Sequence, residues 1–294
     1  MLTTNNTDSI YILNAGSAQS EHDRLNLQHH LFNNIMQNDL LPPQISKSLS
    51  NLATPPKILE IATGTAVWLT EIAKTLSPEA ELVGLDFDTS KFPPPSSLAP
   101  NITLRQANMF EPFPSDLLGR FDVVNVRLII YALKEGYGTN LVKNLMTLLK
   151  PGGYISWAET GPLFTSVNPP SLAWFKFQDL NWKFAKKVGR DLNVPIGMIH
   201  YLREAGCVEC DDRAYPGNAQ LYTANGKDWI SRMNSHANTF TAQTIRGIVS
   251  LGGVEGMTTE EEADELIALL DKEIPGRQIS HLFVRAWGKK PPAS

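Results

Sequence analysis

A chain of 294 residues with 42% hydrophobic and 19% charged residues is long and apolar enough to bury a large core, which excludes a disordered protein. Its formal net charge of −4 argues against a broad basic surface, so we expect a small-molecule substrate and no nucleic acid. No run approaches the roughly 20 apolar residues that span a bilayer. Residues 1–20 are polar, so we expect a soluble, cytoplasmic protein without a membrane partner.

A helix is predicted first, because Leu25, Leu31 and Ile35 recur at helical spacing before Pro42 and Pro43 end the pattern. Five short apolar runs follow, each bounded by turn residues and separated from the next by a helical pattern or a loop. The strands predicted from these runs are Lys57–Ile61, Glu81–Asp86, Ile102–Gln106, Phe121–Val126 and Tyr154–Glu159. Strands in this rhythm form a parallel sheet with helices on both faces.

The pattern changes after Glu159 to longer helical segments, the first of them rich in aromatic residues. The elements predicted there are helices at Leu172–Val188, Met198–Glu204, Asp228–Leu251 and Thr258–Leu270, and strands at Val208–Ala214 and Ile279–Trp287. We therefore predict an α/β fold with a Rossmann-like, doubly wound, mainly parallel sheet of seven strands, an N-terminal helical segment and a helical cap. The predicted domains are a helical lid over 1–50, a ligand-binding α/β core over 51–160, and a cap and substrate region with returning sheet-edge strands over 161–294.

Polar and small residues follow the first three strands, where ligands bind in open parallel sheets. The turn at residues 62–66 contains only alanine, threonine and glycine, so a ligand can approach its backbone closely. Glu60 can accept hydrogen bonds from an ammonium group, and Asp86 can hold two ribose hydroxyls. Asn108 can donate to and accept from an adenine edge, and Met109 can pack on the ring. Taken singly, a glycine or an acid at such places also suits an ordinary turn or a helix cap.

Two other patterns have ordinary structural explanations. Cys207 and Cys210 form a single C-x-x-C without a second cysteine pair, which favours two thiols on a strand over a zinc or redox site. The run Glu260–Glu262 is typical of the first turn of a helix, where negative charge favours the helix dipole. We predict no metal.

Four segments in fixed order carry a family resemblance: ILEIATGT at residues 58–65, VGLD at 83–86, FDVVNVR at 121–127 and LLKPGGY at 148–154. In these segments the chain resembles the class I S-adenosylmethionine-dependent methyltransferases, and its details are similar to the fungal small-molecule methyltransferases of secondary metabolism. The run RLNLQHH at 24–30 resembles the helix that precedes the domain in that group. The resemblance of the sheet covers about half of the chain.

This resemblance implies that S-adenosylmethionine is the cofactor, held by residues at the strand ends and near the N-terminus. The residues implied to contact it are Tyr11, Glu60, Ala62, Gly64, Asp86, Asn108, Met109 and Arg127. By the resemblance, the first strand and its turn line the methionine part, Asp86 the ribose, and Asn108 with Met109 the adenine. The sequence departs from the family at Ala62 and Ala66, where glycine is usual, and at Asn108, where an acid is commoner.

The resemblance implies methyl transfer to an oxygen, nitrogen or sulfur atom of a small molecule, which needs a base only when the acceptor must lose a proton. A histidine or a carboxylate could take this proton, and the candidates include His22 on the N-terminal helix and His236 in the cap. We favour His29, because a helix before the domain can fold over the site. Glu159, after the fifth strand, is a second catalytic candidate, and the resemblance places Arg127 beside the reaction centre.

Three alternatives remain to be compared with methyl transfer. A nicotinamide dehydrogenase needs G-x-G-x-x-G, whereas residues 62–67 read ATGTAV, which makes it a poor rival. An enzyme on this scaffold could instead catalyse a cyclisation or rearrangement with S-adenosylmethionine bound as a non-reacting cofactor. A non-catalytic regulator of secondary metabolism is the third. The sequence leaves the oligomeric state open, with a homodimer as one form.

Overall fold

A mixed sheet organises the protein, which a computed structural model describes at residues 18–217 and 219–292. The strands are β1 (Lys57–Ile61), β2 (Glu81–Asp86), β3 (Ile102–Gln106), β4 (Phe121–Arg127), β5 (Leu149–Glu159), β6 (Thr165–Asn168), β7 (Val208–Pro216) and β8 (Gln278–Lys289). Seven of them lie in the order β3-β2-β1-β4-β5-β8-β7, with the first five parallel and β8 antiparallel to both of its neighbours. This confirms the predicted fold class. The short β6, which was not predicted from the sequence, pairs with residues 278–281 of β8.

Eight helices surround this sheet in the described part of the chain. They are α1 (Ala18–Ile35), α2 (Pro43–Ser50), α3 (Val67–Ala73), α4 (Gly138–Leu148), α5 (Leu172–Lys187), α6 (Val194–Glu204), α7 (Ala219–Ser250) and α8 (Glu260–Glu273). The crossovers from β1 to β2 and from β4 to β5 are helical, whereas the two between β2 and β4 contain loops and short 3₁₀ turns. Every predicted helix is present, and α2 is an addition.

Helices cover both faces of the sheet because consecutive strand residues point to opposite sides. Ile58 packs with Trp68 of α3 on one face. Its neighbour Leu59 belongs to the core on the other face, together with Leu145 of α4 and Leu202 of α6. Burying a side chain of this size contributes about 1.5–3 kcal/mol. The doubly buried strands therefore form a rigid platform whose carboxyl ends all meet at one edge.

A separate core holds the cap together. Phe177 of α5, Ile245 of α7 and Leu266 of α8 are buried in it. A further cluster joins α1 to the sheet and to α7 through Phe32, whose ring lies 4.6 Å from that of Phe283 on β8. Helix α6, in contrast, packs against α4 and the sheet. The three-domain division of the chain stays a prediction.

The described residues contain no helix that combines the length and the apolar surface needed to cross a membrane. Cys207 and Cys210 are free thiols beside β8, and burial raises the pKa of Cys207 to about 12. A thiol so far from ionising is a poor nucleophile and a poor metal ligand, which favours the structural role expected from the sequence.

Candidate active site

One cavity of about 630 Å³ lies at the carboxyl ends of the parallel strands and extends beneath the cap. Residues 60–65, 85–91, 106–110, 127–132 and 160–162, which end or follow β1 to β5, line one side of it. Side chains of α1, α5 and α7 line the other side. The cavity thus occupies the edge of the sheet where the strand pattern placed a ligand.

The turn after β1 is built from left-handed residues. Ala62, Gly64 and Ala66 have φ angles of 54°, 53° and 56°. The turn is anchored to β2, because Thr63 N donates to the carbonyl of Leu85 at 3.0 Å. A Cβ atom at Gly64 would lie 3.4 Å from Leu25 of α1. Glycine is the natural residue at such angles, and each alanine there costs about 1–2 kcal/mol of conformational free energy. The turn therefore keeps a strained backbone where a ligand would contact it.

Asp86 ends β2 and connects the two neighbouring strand ends. Its Oδ2 accepts from Gly64 N at 2.8 Å and its Oδ1 accepts from Asp88 N at 2.9 Å. Burial raises the pKa of this carboxyl group, although the two backbone hydrogen bonds oppose the rise. Each oxygen keeps a second lone pair. The group can therefore accept from two adjacent hydroxyls while it holds the turn.

Glu60 is a buried carboxyl group in the wall of the cavity, with only 2% of its surface exposed. Its Oε2 accepts from Thr63 Oγ1 at 2.6 Å, and its Oε1 lies 3.4 Å from Nη2 of Arg127. Burial raises the pKa of Glu60 to about 7 even though Arg127 opposes the rise. A second cation would stabilise the ionised form. The site therefore fits a ligand that brings an ammonium group, as S-adenosylmethionine does.

The third strand end is more hydrophobic than the sequence suggested. Asn108 lines the cavity, but its Oδ1 accepts from Phe110 N and its Nδ2 donates to Glu111, so its amide is used within its own loop. Met109 also lines the cavity. Phe87 and Phe110 border it with 54% and 39% of their surfaces exposed. Neither ring was predicted from the sequence, although the position of Phe87 directly after Asp86 was a usable signal.

Two acidic groups compensate the charge of Arg127 at the end of β4: Glu60 directly and Glu71 through His29. Nη1 of Arg127 donates to His29 Nδ1 at 3.1 Å, and His29 Nε2 donates to Glu71 Oε2 at 2.8 Å. The guanidinium only donates, so the Nδ1 lone pair of His29 is occupied and its proton lies on Nε2. Burial, with Arg127, lowers the pKa of His29 to about 4. This geometry argues against the base expected at His29 and gives that ring the role of positioning Arg127.

His29, His30 and Glu71 also form a group whose potential ligand atoms lie within 4.8 Å of one another. Two observations oppose a cation there. Glu71 already accepts from His29, and the Arg127 charge is 3.1 Å from the same ring. A metal would have to overcome that repulsion.

Glu159, the second carboxylate candidate, is fully buried and is not among the residues that line the cavity. Its Oε1 accepts from Ile129 N at 2.6 Å and from Trp157 Nε1 at 3.0 Å. Burial raises the pKa of Glu159 to about 8. The side chain holds the backbone that follows β4 from the side away from the cavity. This position argues against the predicted contact with a substrate. Tyr11, expected near the cofactor, lies outside the described residues.

The cap end of the cavity is aromatic. The rings that line it are Phe32, Tyr131, Trp174, Phe177 and Phe240. We call this part the aromatic chamber. Of the aromatic residues predicted in α5, Phe184 lies in the cap core and Phe175 is 61% exposed. His236 and His281 also line the chamber.

Comparison with known proteins places this chain in a family, although no family model matches it. The chain is 33% identical over 199 residues to the methyltransferase grgD of Penicillium sp., which covers 65% of this chain and 67% of the relative. It is 28% identical over 275 residues to the N-methyltransferase tcpN of Claviceps purpurea, covering 92% and 95% of the two chains. For the N-methyltransferase sirN of Leptosphaeria maculans the identity is 26% over 284 residues, with 97% and 96% covered.

One solved structure to which the chain is similar is that of phosphoethanolamine N-methyltransferase 2 of Haemonchus contortus in complex with S-adenosyl-L-methionine. The alignment has a TM-score of 0.48 and 14% identity, and it covers 85% of this chain and 52% of that one. The sheet order, the cavity at the strand ends and the sequence relatives agree with one another. The chain belongs to the class I S-adenosylmethionine-dependent methyltransferases and acts on a small molecule.

Proposed function

We propose that this enzyme methylates a nitrogen atom of an uncharged aromatic small molecule of fungal secondary metabolism. The observation that supports this most is the continuity of one cavity from Glu60 and Asp86 at the strand ends to the aromatic chamber under the cap. Flat rings bury well against such walls. Nitrogen is the atom named in the descriptions of the relatives tcpN and sirN.

We propose that the strand ends divide the cofactor between them. Glu60 pairs with its ammonium group, the turn at residues 62–64 lies along its methionine part, and Asp86 accepts from its ribose hydroxyls. Met109 and Phe87 pack on its adenine, and Asn108 shapes the loop beside them. The bound cofactor supplies a methyl group on a positively charged sulfur, which is the electrophile.

Arg127 has a supporting role in this proposal. It lines the cavity between the strand ends and the chamber, and both Glu60 and His29 fix its guanidinium. Its positive charge keeps part of Glu60 ionised before the ligand binds, since it opposes the rise in the pKa of that group. A cytoplasmic location and a homodimer remain predictions. A cyclisation and a regulatory role find no support among relatives that are named as methyltransferases.

Isothermal titration of S-adenosylhomocysteine into wild type, Asp86→Ala and Asp179→Ala tests the cofactor site. Asp179 is an exposed acid on α5 that pairs with Lys183 outside the cavity, which makes it a matched control. We expect Asp86→Ala to lose binding and Asp179→Ala to keep it, with both variants folded by circular dichroism. Unchanged affinity in Asp86→Ala would contradict the proposed ribose contact.

Incubation with methyl-labelled S-adenosylmethionine and a panel of aromatic amines, phenols and thiols tests the reaction. We expect products heavier by one methyl group, with the label on nitrogen. Transfer restricted to oxygen or sulfur, or a product of unchanged mass, would contradict the proposal.

A further inference from the structure

Two histidines in the aromatic chamber have no part in the cofactor site. His236 lies on α7 and His281 on β8, and both line the cavity. The ring of Phe32 on α1 contacts both histidines edge-on. Its centroid is 5.4 Å from that of His236 and 5.2 Å from that of His281. Three separate elements thus place two imidazoles beside one phenyl ring.

The contacts of Thr165 favour one tautomer of His281. Thr165 Oγ1 donates its single hydrogen to the carbonyl of Gly161 at 3.1 Å. The same oxygen lies 2.9 Å from His281 Nδ1, and both contacts are hydrogen bonds only when it accepts from Nδ1, which is the arrangement we adopt. The ring proton of His281 is then on Nδ1, and Nε2 carries the free lone pair. No residue in the described part of the chain donates to that Nε2 atom, which is itself buried, so a ligand reaches it only when a neighbouring side chain moves aside.

Both imidazoles are uncharged in this setting. Burial lowers the pKa of His281 to about 4. It also lowers the pKa of His236 well below its usual value, and the charge of Arg24 on α1 and the nearby His281 add to the effect. A buried acceptor without a donor costs free energy. A ligand in the chamber that carries an N–H group would remove this cost.

We propose that Nε2 of His281 accepts the N–H hydrogen of the methyl acceptor and takes its proton during methyl transfer. This inference rests on the proposed function, which it deepens by naming the proton acceptor. The acceptor nitrogen bonds to the methyl carbon with its lone pair, the carbon–sulfur bond breaks, and that electron pair stays on sulfur. The N–H electron pair stays on nitrogen while its proton passes to Nε2, and the resulting imidazolium returns the proton to solvent after the product leaves.

The weak basicity of His281 also narrows the substrate class. A neutral imidazole held by burial is a weak base, so it can remove a proton only from a nitrogen whose methylated cation is a stronger acid. Ring nitrogens of the indole type meet this condition, whereas aliphatic amines do not. The walls formed by Phe32, Trp174 and Phe177 favour the same flat molecules.

The test compares indole with 1-methylindole, which has almost the same shape but no N–H donor, as ligands of the protein saturated with S-adenosylhomocysteine. We expect wild type to bind indole about fivefold more tightly, the value of one hydrogen bond near 1 kcal/mol. The ratio should fall to about one in His281→Phe and in His281→Leu. It should persist in His200→Phe, which changes an exposed histidine on α6 outside the cavity.

Nuclear magnetic resonance of ¹⁵N-histidine provides a second measurement on wild type. We expect the His281 ring to be protonated at Nδ1 alone, with the Nε2 signal moving when indole is added. A proton on Nε2, equal affinities for the two probes, or a ratio that survives in both His281 variants would overturn the inference. Normal binding of S-adenosylhomocysteine in those experiments would leave the proposed function standing, whereas its loss in wild type would overturn both.

Discussion

Acidification should weaken cofactor binding through Glu60. In the free protein, burial raises the pKa of this carboxyl group from 4.5 to about 7. The positive charge beside it is that of Arg127. A ligand ammonium group prefers the ionised form, so its binding competes with protonation of Glu60. Affinity for S-adenosylhomocysteine should therefore be highest above the pKa and fall as the pH drops through it.

The size of the effect follows from the ionised fraction. With a pKa of about 7, that fraction is roughly three quarters at about pH 7.5 and roughly 3% at about pH 5.5. Affinity should then fall about 25-fold between these conditions, which corresponds to ~2 kcal/mol. Binding near neutral pH should also release about half a proton for each ligand bound.

Titration calorimetry across this pH range, repeated in buffers with different ionisation enthalpies, measures both quantities. Glu60→Gln should bind more weakly at neutral pH but show almost no slope from this group. The exposed Asp179→Asn should retain the wild-type slope. A flat wild-type profile, or an equal slope in Glu60→Gln, would show that this carboxyl group does not receive the ligand's ammonium group.

Four further substitutions probe the site and the residues that support it. Ala62→Gly should raise the free energy of unfolding by about 1 kcal/mol in urea titrations, whereas Ala66→Gly should be nearly neutral because it also loses a buried methyl group. Glu159 has a pKa of about 8 in the folded protein and about 4.5 in the unfolded chain, so folding favours its protonated form. Its contribution to the free energy of unfolding is fully present below pH 4.5 and is lost as the pH rises through about 8. Thermal melts of Glu159→Gln should thus depend less on pH between 5 and 8, with methyl transfer retained. His29→Gln should slow methyl transfer less than about tenfold, because loss of a general base costs about 10²–10⁴; a larger loss would restore His29 as the base.

Strand positions were predictable because the central strands are buried on both faces. Glu81–Asp86 was predicted with the bounds that β2 has, since its apolar run ends at an acid. Helix α2 was missed because Pro42 and Pro43 were interpreted as a terminator, whereas Pro43 occupies the first position of a helix, where its fixed φ angle is suitable. The start of α7 was placed at Asp228, but the helix begins at Ala219.

The cofactor end of the site was predictable for a related reason. Glu60 and Asp86 lie at the carboxyl ends of their strands and Gly64 follows β1 by three residues, so the sequence that forms the sheet also places them at its edge. The aromatic chamber has no such local rule. His281 lies inside β8, where an alternating strand pattern gives no sign of function, and tertiary packing alone brings it to Phe32 and His236.

Electrostatics argues against His29 as the base, which stays a prediction. A cationic cofactor must bind in a cavity whose wall already contains the positive charge of Arg127, and two like charges at short range repel strongly where water is excluded. Glu60 compensates that charge directly, and Glu71 does so through His29. A histidine used in this way cannot also accept a proton without releasing Arg127. Proton transfer is therefore better served by a ring outside this charge network, such as His281, whose own partner is the neutral hydroxyl of Thr165.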